Sequence, residues 1–253
     1  MRIVIGIPSR MGSSRFPGKP LKKILNKTMI EHCYIRCSYS KLSNELFVTT
    51  PDNEIKEVIE KCNGNVIITP DSIDRPGLRV AAAAESLDLD DDDIVVVVQG
   101  DEPLIHPEMI DLAIKPLLED STVLVSNLCA QASSEDLKDP GEIKVVCDLQ
   151  MNALFMSRSP MPSTDHQEKK AIWWKQVCIM PFRWSFMKTF NDVLKPTPLE
   201  LQESVEMNRA IEHGYKVKMV PSSFNTKSVD TEEDRRMAEE MMKEDKIYKL
   251  YSH

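Results

Sequence analysis

The first hundred residues alternate between short unbroken apolar runs and longer segments whose apolar residues recur every three or four positions. The unbroken runs are RIVIGI (2–7), ELFVTT (45–50), NVIIT (65–69) and DIVVVVQ (93–99). They are rich in β-branched residues and bounded by turn formers, the pattern of strands buried on both faces. Between them, 28–41, 52–62 and 77–87 carry helical spacing. The second of these opens on an acidic cap and sets Glu54 and Glu57 ahead of lysines, and the third is rich in helix formers. Such alternation predicts an α/β fold, a Rossmann-like, mostly parallel sheet flanked by helices. The second half is less regular. STVLVSNL (121–128), EIKVVCD (142–148) and YKVKMV (215–220) read as strands, 200–214 as one helix ended by Gly214, and a last helix begins at Asp230. Residues 157–171 hold prolines and no period, which predicts a loop.

Composition narrows the function classes. The 253 residues, 42% of them hydrophobic, suffice for one sizeable core, and a single domain over 1–253 is expected. A net charge of −8 argues against nucleic acid or an anionic membrane as partner, because only one short loop is basic. The cysteines Cys33, Cys37, Cys62, Cys129, Cys147 and Cys178 form no CxxC pair and read as reduced, mainly buried thiols. No run approaches the ~20 apolar residues of a membrane span, and the apolar start is too short for a signal-peptide core, so a cytoplasmic protein without membrane insertion is expected. The acidic stretch DLDDDD (88–93) reads as a solvated turn.

The basic loop is MGSSRFPGKP (11–20), directly behind the first strand, where open parallel sheets bind ligands. It is not a Walker A loop: five residues separate Gly12 from Gly18, and Pro20 stands where a hydroxyl should follow Lys19. Gly6, Gly12 and Gly18 also have the wrong spacing for a dinucleotide fingerprint. Two readings remain. Backbone amides could hold phosphate oxygens while Arg10, Arg15 and Lys19 neutralise a polyphosphate, or the loop is a tight strand-to-helix connection with solvated cations. Asp101, in QGDEP after the most apolar strand, lies at the same sheet edge if the first and fourth of these strands are neighbours, where a carboxylate can hold Mg²⁺ against phosphates. Glu102 would point the other way. Asp230 is a second candidate, and equally a good N-cap for the last helix. His106, before Pro107, reads as a helix start rather than a catalytic base.

IPSRMGSSRFPGKPL (7–21), VVVVQGDEPLI (95–105), EIKVVCDLQMNALFMSRSPMP (142–162) and SVDTEED (228–234) together resemble, in order and across nearly the whole chain, the cytidylyltransferases that activate 3-deoxy-manno-octulosonate (KDO). The resemblance implies the nucleotide-diphospho-sugar transferase type of fold. It implies transfer of CMP from CTP to a hydroxyl of a 2-keto-3-deoxy sugar acid with release of pyrophosphate, in the service of lipopolysaccharide or other cell-surface polysaccharide. Attack would be in line, with no covalent enzyme intermediate. Arg10, Lys19 and Asp101 would be catalytic, and Pro8, Arg10, Gly12, Ser13, Arg15, Lys19 and Arg79 would bind nucleotide. Mg²⁺ would sit on Asp101 and Asp230. Gln99, Arg158, Gln176 and Glu206 would hold the sugar acid. Relatives are homodimers built partly through the region matching 150–220, and the same is expected here.

Three stretches depart from the pattern. RPGLR (75–79) stands where relatives carry Ser-Gly-Thr-acid-Arg, so Gly77 and Leu78 replace a hydroxyl and a carboxylate. In KQVCIMPFR (175–183), Gln176 replaces a histidine and Cys178 a glycine. In VEMNR (205–209), Met207 replaces a glutamine while Glu206 and Arg209 remain, and Glu203, Glu206 and Arg209 would share one helix face. All three fall on the presumed sugar-acid side, which implies retained CTP chemistry with an altered acceptor. A cytidylyltransferase for a nonulosonic acid or a phosphonate, and an inactive nucleotide-binding scaffold, are the alternatives.

Overall fold

The computed structural model describes residues 1–13, 15–163, 172–224 and 226–252. In chain order the elements are β1 (Ile3–Pro8), β2 (Lys23–Ile24), β3 (Lys27–Thr28), α1 (Met29–Cys37), β4 (Glu45–Thr50), α2 (Asn53–Lys61), β5 (Val66–Ile68), α3 (Pro76–Ala84), β6 (Ile94–Val98) and α4 (Pro107–Glu119). The second half adds β7 (Ser126–Gln131), α5 (Ser134–Lys138), β8 (Lys144–Cys147), β9 (Ala153–Ser157), β10 (Trp174–Gln176), β11 (Ile179–Arg183), α6 (Trp184–Lys188), α7 (Pro198–Glu203), α8 (Met207–Glu212), β12 (Lys218–Ser222) and α9 (Glu232–Lys243).

The first sheet has the order β11-β6-β1-β4-β5. Its four inner-chain strands run parallel and β11 closes one edge antiparallel to β6. Burial explains the unbroken apolar runs. Ile3, Ile5 and Ile7 face one core with Ile94, Val96 and Val98, whereas Val4, Val95 and Val97 face a second core on the opposite side. Each such side chain contributes ~1.5–3 kcal/mol on burial, so neither face tolerates a polar period. The α/β, mostly parallel architecture expected from the sequence is the one observed. From β1 the chain goes to β4 on one side, and β6 pairs on the other. The carboxyl ends of β1 and β6 therefore lie together where strand order reverses, the position at which open sheets form a ligand crevice.

The second half is more regular than its sequence suggests. It forms a second sheet, β12-β7-β10-β8-β9, joined to the first where Val125 bridges Phe182 beside β11. The strand expected at 121–128 begins only at Ser126, because 117–124 wrap around Arg183: its guanidinium takes the carbonyls of Leu117, Asp120 and Val123. The strand expected at 215–220 is shifted to Lys218–Ser222, since Gly214 and Tyr215 close α8 by donating back to Ile211 and Ala210.

The helix expected over 200–214 is two short helices. Ser204 turns left-handed (φ 53°) and ends α7. The break brings Arg209 back onto Glu200, which is fully buried, in a two-pronged ion pair, with the guanidinium 4.7 Å from the Phe190 ring centroid. Glu203, Glu206 and Arg209 consequently share no helix face. In the acidic turn, Asp93 is buried and accepts from the amides of Arg2 and Asp90, so the turn is solvated only in part. Residues 164–171 of the expected loop lie outside the described residues. Among the described residues, all six cysteines are unpaired thiols, and no helix is long and apolar enough to cross a membrane.

Candidate active site

The loop after β1 is shaped by three residues. Phe16 is buried against Ile24, Met29, Leu104 and Val229, which anchors the loop's middle. Gly18 adopts φ +68°, a conformation side chains resist, and this starts the single turn Lys19–Leu21. The amide of Met11 donates to Asp52 at 2.7 Å, tying the loop's start to the edge of α2. Lys19 then reaches across the crevice. Its Nζ lies 2.8 Å from Asp101 Oδ2 and 2.9 Å from Asp230 Oδ1, while Arg15 pairs with the other oxygen of Asp230 at 3.0 Å. Burial disfavours the Lys19 charge, but the charges and hydrogen bonds of Asp101 and Asp230 outweigh that cost and hold its pKa above the usual lysine value.

Asp230 is not the helix cap. Thr231 caps α9, accepting from the Asp234 amide, and so leaves the Asp230 carboxylate free for the crevice. Glu102 is buried away from its neighbour Asp101 and accepts from the Thr226 hydroxyl at 2.7 Å. Burial, then the Asp101 charge, push its pKa up to about 8. His106 caps α4 through Nδ1 and stacks on Phe224, ring centroids 4.2 Å apart.

Pro8, Arg10, Gly12, Ser13, Arg15, Lys19, Arg79, Gln99, Asp101, Arg158, Gln176, Glu206 and Asp230 all line one cavity of about 630 Å³, between the two sheets. Every site candidate drawn from the sequence is on its wall. The contacts differentiate them. Arg79 is buried and gives its guanidinium to Thr69, Pro70 and Ile73, bracing the 69–73 segment, and burial followed by the Arg10 charge lowers its pKa. Arg158 donates to the carbonyls of Pro140, Gly141 and Glu203. The Glu206 carboxylate accepts from the Gly77 amide at 3.3 Å, so two of the three departing stretches touch each other across the cavity. Burial raises the Glu206 pKa against the opposing pull of that amide and of Arg75.

The profile of the cytidylyltransferase family matches residues 3–251. The chain belongs to that family. This cytidylyltransferase is 39% identical to the 3-deoxy-manno-octulosonate cytidylyltransferase of Syntrophus aciditrophicus, over 92% of the present chain and 94% of that one. It is 38% identical to the 8-amino-3,8-dideoxy-manno-octulosonate cytidylyltransferase of Shewanella woodyi, covering 94% and 98%. Among solved structures, a CMP:2-keto-3-deoxy-manno-octonic acid synthetase complexed with CTP superimposes with a TM-score of 0.88 at 30% identity, covering 96% of this chain and 99% of the other. The resemblance read from the four motifs is thus upheld, and the protein is a nucleotidyltransferase.

Several residues at or just behind the cytidylyltransferase cavity were not among the site candidates drawn from the sequence. Lys144 is fully buried, its ammonium capping the carbonyls of Asp139, Glu142 and Arg158. Glu203 holds the Ser157 hydroxyl and the Arg158 amide. Asp74, Arg75, Cys178 and Met180 also line the wall. For Lys144 the available signal was a lysine inside an apolar strand run, since buried charges require partners.

The donor set at Asp101 and Asp230 suits a hard divalent cation. Two carboxylates converge on one positive charge, and Mg²⁺ is commonly held by one or two carboxylates plus substrate phosphates. No group of three or more metal-ligating side chains exists among the described residues, so substrate oxygens and water would have to supply the remaining ligands.

Proposed function

We propose that the protein transfers CMP from CTP to the hydroxyl of KDO or a close relative, with pyrophosphate as the leaving group and Mg²⁺ as cofactor. The observation that carries this reading is the single cavity in which the Arg10, Arg15 and Lys19 loop faces Asp101 and Asp230 and continues into a wall of Gln99, Arg158, Gln176 and Glu206. The full-length similarity to enzymes named for KDO and its 8-amino analogue supports it.

Asp101 and Asp230 would hold Mg²⁺, which when bound polarises the α-phosphate and favours an ionised acceptor hydroxyl. The chain's own residues do the rest. Arg10, Arg15 and Lys19 stabilise charge as it builds on the departing phosphates. Lys19 bridges to Asp101 and Asp230 until a polyphosphate offers it a stronger partner. Arg158, braced on Glu203 and the 140–141 carbonyls, presents a planar cation suited to a sugar carboxylate. Homodimer formation through the second sheet belongs to the same reading: its edge strand β9 exposes Leu154, and the β8–β9 turn exposes Leu149. Sedimentation equilibrium gives the mass that decides it.

Pyrophosphate release tests the reaction, measured with CTP and Mg²⁺ and with KDO or 8-amino-3,8-dideoxy-manno-octulosonate as second substrate. Release that requires all three components is expected. Protein that binds CTP yet releases no pyrophosphate with either sugar acid would move the search to nonulosonic acids and phosphonates. Protein that does not bind CTP at all would refute the reading.

A further inference from the structure

Gln176 stands on the cavity wall with Cys178 and Met180, and behind it lies Asn127 on β7, which is fully buried. The Asn127 carboxamide has one end 2.9 Å from the carbonyl of Leu128, 2.8 Å from that of Val177 and 3.3 Å from that of Ile179. Carbonyls only accept, so that end must be the NH₂. The other end, Oδ1, then faces Gln176 at 2.5 Å. Oδ1 also only accepts, so Gln176 must turn its own NH₂ inward, where the Met180 sulfur is a further weak acceptor at 3.8 Å. The remaining polar atom, Gln176 Oε1, has no partner among the described residues.

We propose that Asn127 is a positioning residue that commits Gln176 to present a carbonyl oxygen to the sugar-acid side of the cavity. This wall therefore selects a substrate group that donates a hydrogen bond, a hydroxyl or an ammonium, over an ether, a ketone or a hydrogen at the same position. The orientation follows from three fixed carbonyls and two amides, and rotating either amide sets like atoms against each other. A rotated Asn127 would set its oxygen against three carbonyl oxygens, and a rotated Gln176 would set oxygen on oxygen at hydrogen-bond distance. The ligand half of the inference rests on the proposed function. The orientation half does not.

Two readouts test it on the intact chain. In protein labelled with ¹⁵N-glutamine, the Gln176 NH₂ pair is assigned by its loss in Gln176→Met. Its protons should exchange at least about tenfold more slowly than those of exposed glutamines, and this protection should vanish in Asn127→Ser. Exchange in the wild type as fast as at exposed glutamines overturns the orientation without reference to any activity. In steady-state kinetics, Gln176→Met should raise the KM for the sugar acid about tenfold, one lost hydrogen bond, with the KM for CTP unchanged. Asn127→Ser should raise it similarly and add nothing in the double variant, because it acts through Gln176. An unchanged sugar-acid KM in Gln176→Met, or an Asn127→Ser effect that persists in the Gln176→Met background, overturns the proposal. Absence of turnover in the wild type removes the functional reading and the ligand half with it, while amide exchange still decides the orientation.

Discussion

Acidification should loosen this protein through one buried histidine. His32, on α1, is fully buried, with Nε2 2.8 Å from the carbonyl of Ile24 and Nδ1 2.9 Å from the Tyr251 hydroxyl. That hydroxyl also accepts from Arg36 Nε at 2.9 Å. The Ile24 carbonyl requires the proton on Nε2, so Nδ1 accepts from Tyr251. A second proton, on Nδ1, would aim a second N–H donor at the Tyr251 oxygen, take away the acceptor of its own proton and add a charge beside Arg36. Burial lowers the His32 pKa, the Ile24 hydrogen bond opposes it and the Arg36 charge adds to it, moving the value from 6.5 to about 4.

A depressed folded pKa means that the unfolded chain takes the proton first. His32 thus contributes stability above its unfolded value of 6.5, and that stability is lost as pH falls towards about 4. The full gap corresponds to roughly 3 kcal/mol, of which about 2 kcal/mol disappears between about pH 7 and pH 5. Glu102 works in the opposite sense: its folded pKa of about 8 lies above 4.5, so its contribution is present at low pH and is lost as pH rises through 8. The difference between wild type and His32→Gln isolates the histidine. Urea unfolding followed by circular dichroism at several pH values should show the wild type losing about 2 kcal/mol more than His32→Gln over that interval. Parallel stability curves for the two proteins would refute the argument.

Three other changes probe the cavity and its supports. Lys19→Met removes the cation that bridges Asp101 and Asp230, and kcat/KM should fall about 100-fold or more, the scale of one lost charge-stabilising donor; turnover at the wild-type rate would exclude the proposed role. Gly77→Ala places a Cβ 3.1 Å from Glu206 Oε1, so steady-state kinetics should show the sugar-acid KM rising roughly threefold to tenfold while the KM for CTP holds. Arg209→Met strands the buried Glu200 carboxylate and should cost about 3–5 kcal/mol in denaturant unfolding, whereas a loss below about 1 kcal/mol would mean that Glu200 finds another partner.

The first sheet was legible because its inner strands β1 and β6 are buried along their whole length, so apolar runs and strands coincide there. The proposed nucleotide side of the cavity was legible in part for a related reason: Arg10 and Asp101 sit just beyond the ends of β1 and β6, two recognisable strands. What stayed hidden depends on pairs distant in sequence. The periodicity of 200–214 is helical throughout, yet the chain breaks at Ser204 so that Arg209 can reach Glu200, and no local pattern records an ion pair formed by folding back. Asp230 and Thr231 are both good caps by type. Thr231 takes that role in the structure, and Asp230 instead meets Lys19, 211 residues away. Asn127 makes the same point at the proposed sugar-acid wall. An asparagine within VLVSNLCA announces a buried polar group that must be satisfied, but its partner Gln176 lies 49 residues on, in a strand of only three residues. The proposed nucleotide end of the cavity thus takes Arg10 and Asp101 from beside strand ends and Asp230 from just before α9, whereas the proposed sugar-acid end depends on side chains such as Gln176 that are held by distant ones. Replacements such as Gln176 and Gly77 can therefore reshape what the second substrate meets while leaving the Lys19–Asp101–Asp230 contacts as they are.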